Sequence, residues 1–184
     1  RRGDWSSDVC SSDLCVLESS NKIDLSQVQA LNRLDRETTG IVLFSLKKET
    51  QPQFDKLIAS KELSKEYLAV VKGDFGLNKL LIDKAIGKDR HDAHKMRISD
   101  TGKPSQTEVR LIKVVSSAQG QTQSLSLVNL LTVRKHQIRV HLSSLGFPLV
   151  GDVLYGGMSS LQRKTKKKHR PQSLMLHAYR VGFI

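Results

Sequence analysis

The sequence feature that most constrains the fold of this chain is a charged loop followed directly by an apolar stretch. Asp35 stands between Arg33 and Arg36, a Thr-Thr-Gly sequence follows, and residues 41–46 are mostly apolar. Two guanidinium groups beside a carboxylate keep it ionised, and the apolar run predicts a buried strand. Catalytic groups are often carried by loops that a rigid strand holds in place. On these residues alone a surface Arg–Asp pair in a turn is the favoured interpretation of Asp35, and a catalytic carboxylate is the alternative.

A second basic segment precedes a predicted helix. Ile138 and Leu142 recur at helical spacing, and Gly146 marks the end of this helix. Its amino end, where backbone N–H groups favour an anion, carries Arg134, Lys135 and His136. A solvated basic face is the alternative interpretation.

The remaining pattern predicts one further helix and several strands. The helix is predicted over residues 51–60, and a strand over residues 65–71. Residues 107–115 and 125–133 predict a hairpin. Asn129 lies between alternating leucines of the second hairpin strand, so it is expected to face inward and to need hydrogen-bond partners.

Residues 74–102 follow a weaker pattern, which predicts a loop with short strands that is basic enough to contact phosphate. His91 and His94 lie in this loop, but no nearby Cys or third His completes a ligand set. We therefore expect solvated histidines and no metal site.

The charge of the chain indicates a polyanionic partner. Its 184 residues hold 30 Lys and Arg against 18 Asp and Glu, a formal charge of +12, and nucleic acid is the commonest partner of such a protein. No amphipathic basic helix supports a membrane surface instead. Six of the eight residues 163–170 are Lys or Arg, a run that predicts a flexible, RNA-contacting loop. Two cysteines, Cys10 and Cys15, favour a reducing compartment and a cytoplasmic location.

Residues 1–14 differ from the rest of the chain. They contain a tandem near-repeat, Ser-Ser-Asp-Val-Cys and Ser-Ser-Asp-Leu-Cys, without a helix or strand period. The segment resembles a translated sequencing adapter, so it is excluded from the fold argument. A disordered or redox-active arm is the alternative.

Several short motifs occur in a fixed order along residues 31–184. The first reads Asn-Arg-Leu-Asp-Arg-Glu-Thr-Thr-Gly at residues 32–40, the second is the Lys-x-Tyr that ends at Tyr67, and the third reads Thr-Val-Arg-Lys-His-Gln-Ile-Arg-Val-His at residues 132–141. Gly-Asp and Tyr-Gly pairs at residues 151–156 and Leu-His-Ala at residues 176–178 follow. This order resembles the RluA-like family of pseudouridine synthases. Asn32 replaces the family's usual histidine, and Val133 replaces its glycine.

The resemblance implies an α+β fold, with a mixed, mostly antiparallel sheet, flanking helices and a basic cleft. Residues 15–184 are then a catalytic domain that we expect to be truncated at both ends. The implied reaction is the isomerisation of a uridine in RNA to pseudouridine, without metal or cofactor. Ribosomal RNA is favoured over transfer RNA as the substrate, and a monomer is expected.

The resemblance also gives each site residue a task. Asp35 is the catalytic carboxylate, which either attacks ribose C1′ or removes the 2′ proton. Tyr67 supports the base and assists removal of the C5 proton, although a half-buried strand aromatic is the alternative. Arg139 pairs with Asp35 and keeps it ionised. The residues expected to bind RNA are Arg33, Arg36, Arg134, Lys135, His136, Lys164, Lys166, Lys167 and Lys168.

Two other classes compete with this interpretation. A basic RNA-binding module of the same fold, without catalysis, is supported by Asn32 and Val133. It leaves unexplained why Asp35, Tyr67 and Arg139 all stand at motif positions. A nuclease or glycosidase ranks last, because that chemistry usually needs two cooperating carboxylates or a metal site.

Overall fold

A computed structural model describes residue 24 and residues 26–60, 62–116, 121–156 and 173–183. The chain divides into two compact units. The first comprises residues 1–36 and 42–62, and the second comprises residues 37–41 and 63–184. Residues 1–14 and the basic run 163–170 lie outside the described residues.

The first unit contains a small antiparallel ribbon followed by a helix. Strand β1 (Gln29–Ala30) pairs with β3 (Phe44–Ser45), and a 3₁₀ turn (Lys48–Thr50) leads into α1 (Gln51–Ala59). Helix α1 confirms the prediction over residues 51–60, in which proline occupies an early helical position where its missing N–H has no intrahelical partner.

The strand predicted over residues 41–46 is wrong in its length. Strand β3 covers only Phe44–Ser45, while Leu46 is 53% exposed. The N–H of Leu43 donates to Asn32 Oδ1 over 2.6 Å, so a side chain takes the place of a ladder partner just before β3 begins. Ile41, 40% exposed, belongs to the other unit.

The second unit is built on a six-stranded sheet and a separate two-stranded ribbon. The sheet contains β2 (Thr39–Gly40), β4 (Leu63–Lys72), β5 (Lys79–Asp83), β8 (Gln106–Ser116), β9 (Thr122–Leu130) and β10 (Leu176–Phe183), in the order β2-β10-β4-β9-β8-β5. Among the described strands of this sheet, only the β2–β10 pair is parallel. The ribbon pairs β6 (Ile86–Lys88) with β7 (Met96–Ile98). The sheet and the helices confirm the predicted α+β class.

The core lies on one face of the sheet and beneath helix α2 (Gln137–Ser144). Ala69, Val109 and Val128 are fully buried on three neighbouring strands, and Leu142 of α2 is fully buried as well. The predicted β8–β9 hairpin and the helix ending before Gly146 are both confirmed. Among the described residues, no helix is long and apolar enough to cross a membrane.

The inward orientation predicted for Asn129 is wrong. In β9 the buried residues are Ser124, Ser126 and Val128, so the alternating leucines and Asn129 occupy the other, half-exposed face. There Asn129 stands in register between Glu66 and Glu108 of the neighbouring strands.

Candidate functional site

Arg139 forms the centre of the site in the second unit. Its side chain is 5% exposed, and its guanidinium donates to both carboxylate oxygens of Asp152, from Nε to Oδ2 and from Nη2 to Oδ1, each over 2.8 Å. The Asp152 side chain is fully buried. A bidentate pair of this kind fixes both the position and the plane of the guanidinium, so the cation is held ready in one orientation.

The turn after α2 provides the geometry that Asp152 needs. Its Oδ1 accepts the backbone N–H groups of Leu154 and Tyr155, each over 2.9 Å, while Gly151 before it adopts a φ of +79°. A Cβ added at Gly156 would lie 2.0 Å from the carbonyl oxygen of Asp152. The two glycines therefore allow the turn to close tightly, and the closed turn aims the carboxylate at Arg139.

Tyr155 lies under the guanidinium and reaches two other elements. Arg139 Cζ is 5.2 Å from the centre of the Tyr155 ring, a cation–π contact. The Tyr155 hydroxyl accepts the backbone N–H of Met96 over 2.8 Å and lies 2.8 Å from His136 Nδ1. One aromatic side chain thus contacts Arg139, the start of α2 and strand β7.

Glu37 adds a second carboxylate to Arg139. Its Oε2 lies 3.5 Å from Nη2, and its side chain is half exposed. Glu37 follows Asp35 by two positions in the sequence, although the two residues belong to different units. Because solvent screens such a contact, Asp152 is the stronger partner of the arginine.

Gln137 and His141, on the same helix, serve the fold. Gln137 Nε2 donates to the carbonyl of Gln106 and to Thr107 Oγ1, each over 2.9 Å. His141 is fully buried, with Nε2 at 2.9 Å from the Lys84 carbonyl and Nδ1 at 2.8 Å from Thr107 Oγ1. Since a carbonyl can only accept, His141 carries its proton on Nε2 and accepts the Thr107 hydroxyl proton at Nδ1.

Burial lowers the pKa of His141 below its ordinary value, and the hydrogen bond to the Lys84 carbonyl opposes this only in part. The imidazole is therefore held neutral between α2 and β8. In the His-Gln-Ile-Arg-Val-His sequence, Gln137 and His141 bind the helix to the sheet, and Arg139 is the residue that carries charge into the site.

The three residues predicted to bind an anion lie at the amino end of α2, as expected. Lys135 is exposed, and Arg134 Nη1 donates to the Val133 carbonyl over 3.0 Å. His136 immediately precedes the helix in a left-handed conformation, with φ 56° and ψ 21°. No other non-glycine residue of the described chain has a positive φ. Val133, which stands where a glycine was expected, is therefore free of this strain.

Tyr67 lies on β4 and is 9% exposed. Lys65, two positions earlier on the same face of the strand, is 8% exposed, and burial lowers the pKa of its ammonium group. The Lys-x-Tyr motif thus puts an amine and a phenol side by side on one strand face.

The acidic end of the predicted site belongs to the first unit. Asp35 is half-buried there, between the exposed side chains of Arg33 and Arg36. Asn32, which replaces a histidine, holds the backbone of Leu43 and so takes a structural position in the ribbon. The pairing of Asp35 with Arg139 joins residues of different units and stays a prediction. Lys164, Lys166, Lys167 and Lys168 lie outside the described residues.

The loop predicted to contact phosphate forms a small basic cleft at the β6–β7 ribbon. The cleft has a volume of about 290 Å³ and is lined by Asp89, Arg90, His91 and Arg97. Hydrogen bonding from the backbone N–H of His91 lowers the pKa of Asp89. Within the described ranges, no group of three or more His, Cys, Asp or Glu residues could hold a metal ion.

Sequence reasoning assigned no task to Asp152, Tyr155 or Glu37. The first two belong to the Gly-Asp and Tyr-Gly pairs that the motif comparison contained, so a signal was present. Glu37 occupies a position that varies in the motif, and nothing in the sequence indicated its contact with Arg139.

Comparison with known proteins gives a consistent result. A family model described as RNA pseudouridylate synthase matches residues 12–144. The chain is 39% identical over 135 residues to "Uncharacterized RNA pseudouridine synthase YhcT" of Bacillus subtilis (strain 168), covering 73% of this chain and 44% of that protein. It is 32% identical over 152 residues to "Ribosomal large subunit pseudouridine synthase D" of Borreliella burgdorferi, covering 82% and 43%.

A solved structure agrees in fold. "Human RNA Pseudouridylate Synthase Domain Containing 1" superposes with a TM-score of 0.73 at 30% identity, over 92% of this chain and 69% of that one. The chain spans less than half the length of each of the two bacterial relatives above.

Proposed function

The chain belongs to the RNA pseudouridylate synthase family, and on that premise we propose that its protein isomerises a uridine within RNA to pseudouridine. The observation that carries the proposal is the survival of Asp35, Tyr67 and Arg139 at their motif positions in a chain that belongs to this family. The buried Arg139 guanidinium, which Asp152 fixes in place, further supports a site that stabilises negative charge.

The reaction exchanges one bond of the base for another. The bond from N1 to ribose C1′ breaks, the uracil turns, and a bond from C5 to C1′ forms, while C5 loses a proton and N1 gains one. The uridine first leaves the base stack, which costs a few kcal/mol. Arg36 or a neighbouring side chain then occupies the vacated space.

Asp35 supplies the carboxylate of the first step. It either attacks C1′ to form an ester or removes the 2′ proton, and both routes require it to be ionised. Arg139 pairs with Asp35 in this proposal and stabilises the charged form. Its bidentate bond to Asp152 supports this task, because a guanidinium already fixed in place needs little reorganisation when charge develops nearby.

Tyr67 acts in the later step. Its ring supports the base, and its hydroxyl assists removal of the C5 proton. Lys65 lies two positions earlier on the same buried strand face, and burial lowers the pKa of its ammonium group.

The substrate is RNA, and basic residues hold its phosphates. Arg33, Arg36, Arg134, Lys135 and His136 are assigned to this contact, together with Lys164, Lys166, Lys167 and Lys168. The formal charge of +12 supports it. Ribosomal RNA is the favoured class, since one relative is named for the ribosomal large subunit, and transfer RNA is the second class. We further propose a cytoplasmic monomer.

Asp35→Asn tests the assignment of the carboxylate. The change keeps the shape of the side chain and removes its charge, so pseudouridine formation should fall below detection while RNA affinity stays within about twofold of the parent. The assay is single-turnover conversion of uridines in transcripts of ribosomal and transfer RNA. Asp55→Asn, an exposed aspartate of the same unit, is the matched control and should convert normally.

Two outcomes of this assay would contradict the proposal in different ways. Full activity of the Asp35→Asn variant would remove Asp35 from the mechanism. A parent protein that binds RNA but converts no transcript would indicate a catalytically inactive RNA-binding module.

The Tyr67→Phe variant should bind RNA normally and convert uridine slowly in the same assay. Full activity of this variant would return Tyr67 to a structural role.

A further inference from the structure

Tyr155 lies where three elements of the second unit meet, and its ring and hydroxyl contact different ones. The ring lies beneath the Arg139 guanidinium, at 5.2 Å from Cζ to the ring centre. The hydroxyl contacts the backbone of Met96 in β7 and the imidazole of His136 at the start of α2, each at 2.8 Å. The carbonyl of Tyr155 accepts a hydrogen bond from Ser143 Oγ, also in α2.

The hydrogen bonds of the hydroxyl have a defined direction at Met96. A backbone N–H can only donate, so the Tyr155 oxygen accepts there, and its hydroxyl remains hydrogen-bonded to His136 Nδ1. The edge-to-face packing of the two rings, with centroids 5.6 Å apart, keeps the imidazole in this orientation.

The ribbon that Met96 belongs to is rich in cationic side chains. Its turn and strands carry four Lys or Arg and two His against two Asp, namely Lys88, Arg90, Lys95, Arg97, His91, His94, Asp89 and Asp92. Clustered cations on a short ribbon are suited to phosphate contacts. The position of this ribbon relative to α2 depends partly on the bond from Met96 to Tyr155.

We infer that Tyr155 is a positioning residue with two separable tasks: its ring supports Arg139 for the chemical step, and its hydroxyl holds His136 and the basic ribbon for RNA binding. The inference rests on the proposed function for the first task alone. The second task concerns affinity for RNA and is measured without turnover. Asp152 fixes the plane of the guanidinium from one side, and the Tyr155 ring supports its face.

Two substitutions separate the tasks. Tyr155→Phe keeps the ring and removes the hydroxyl, whereas Tyr155→Leu removes both. The Phe variant should weaken the affinity for a fluorescein-labelled RNA stem–loop by roughly three- to tenfold, the loss expected for one or two hydrogen bonds. Its single-turnover rate at saturating RNA should stay within about twofold of the parent. The Leu variant should show the same loss of affinity and a rate lower by at least about tenfold.

Tyr179→Phe is the matched control, because Tyr179 is an exposed tyrosine of β10 in the same unit. It should change neither affinity nor rate. Melting temperatures of all variants are recorded as a control for stability. General destabilisation would lower both affinity and rate in the Phe variant as well as in the Leu variant, whereas the proposal expects only the Leu variant to lose rate.

The results decide the two tasks independently. An affinity of Tyr155→Phe within twofold of the parent would overturn the task of the hydroxyl. Equal rates in the Phe and Leu variants would overturn the task of the ring. If the parent protein converts no uridine in any transcript, the proposed function fails, and the affinity of Tyr155→Phe still decides whether the hydroxyl organises the RNA-binding surface.

Discussion

At the scale of single residues, His141 shows how a buried base ties stability to pH. The imidazole accepts from Thr107, donates to the Lys84 carbonyl and is fully buried. Burial lowers its pKa in the folded protein. The unfolded chain therefore takes up a proton near pH 6.5, the ordinary value, while the folded chain does so only at lower pH.

The sign of the effect follows from proton uptake. Stability from His141 is complete above about pH 6.5, and it is lost as the pH falls from there towards the lowered folded pKa, because the unfolded state binds more protons in this window. The loss is at most about 1.4 kcal/mol for each pH unit. Urea unfolding at pH 7.5, 6.5 and 5.5 measures it.

A pair of variants assigns the pH effect to one histidine. His141→Gln should lower stability at pH 7.5 and flatten its decrease between pH 6.5 and 5.5. His91→Gln, at an exposed position of the basic ribbon, should leave the decrease unchanged. A decrease of the same size in the His141→Gln variant would place the titrating group elsewhere.

Arg139 and Tyr67 could be singled out from the sequence as site candidates, but the buried partner of Arg139 could not. Arg139 and Tyr67 stood in ordered motifs, whereas the bond from Arg139 to Asp152 spans 13 positions and depends on a turn that two glycines close. Side-chain pairing of this kind is set by the course of the backbone between the two residues. The spacing of apolar residues in the sequence therefore does not predict which side chains pair.

At the scale of elements, the short strand β2 shows how strictly a position in the sheet can limit the residue type. It contains only Thr39 and Gly40 and runs parallel to β10 at the edge of the sheet. Gly40 adopts a φ of +116°, and an added Cβ would lie 2.3 Å from the carbonyl oxygen of Ala178. The Thr-Thr-Gly sequence therefore requires glycine for its conformation and for the close approach of two backbones.

Gly40→Ala should lower the free energy of unfolding by about 3 kcal/mol or more, because backbone strain adds to a clash between main chains. Gly76→Ala is the matched control: Gly76 also has a positive φ, of +65°, but nothing lies within 4 Å of its added Cβ. That variant should lose only about 1 kcal/mol. Urea unfolding of both proteins gives the difference, and equal losses would show that β2 tolerates a side chain.

Elements with a clear period could be predicted, and those defined by single contacts could not. Helix α1, strand β4 and the β8–β9 hairpin occur where the apolar pattern indicated. The apolar run 41–46 misled, because the Asn32 side chain occupies the Leu43 N–H and Gly40 bends the chain ahead of it. In β9 the leucines indicated the wrong face, since the core there accommodates Ser124 and Ser126.

At the scale of the whole molecule, the formal charge of +12 should make RNA binding strongly dependent on salt. Replacing the six Lys and Arg residues of the run 163–170 by Ser or Gln should weaken binding to every RNA tested. It should also flatten the slope of log K against log salt, by up to about 0.7 to 0.9 for each lost phosphate contact. The rate at saturating RNA should barely change.

The measurement is a salt titration of binding beside single-turnover kinetics on one RNA. Replacing Lys47, Lys48 and Lys56, exposed cations of the first unit, by Gln is the control for loss of charge in general. An unchanged salt slope in the run 163–170 variant would make that segment a bystander, and a lost chemical rate would place it at the site.

The position of β10 has a consequence for how the protein is made. This strand inserts between β2 and β4, and its His177 pairs with Thr39, 138 positions earlier. A ribosome that adds roughly 5–20 residues per second needs about 7–28 s to cover that distance. From the synthesis of β4 until that of β10, one edge of β4 has no strand beside it, and an open edge invites pairing with other chains. The yield of folded protein should therefore depend on the local concentration of nascent chains, and on chaperones that cover β4 until β10 has been synthesised.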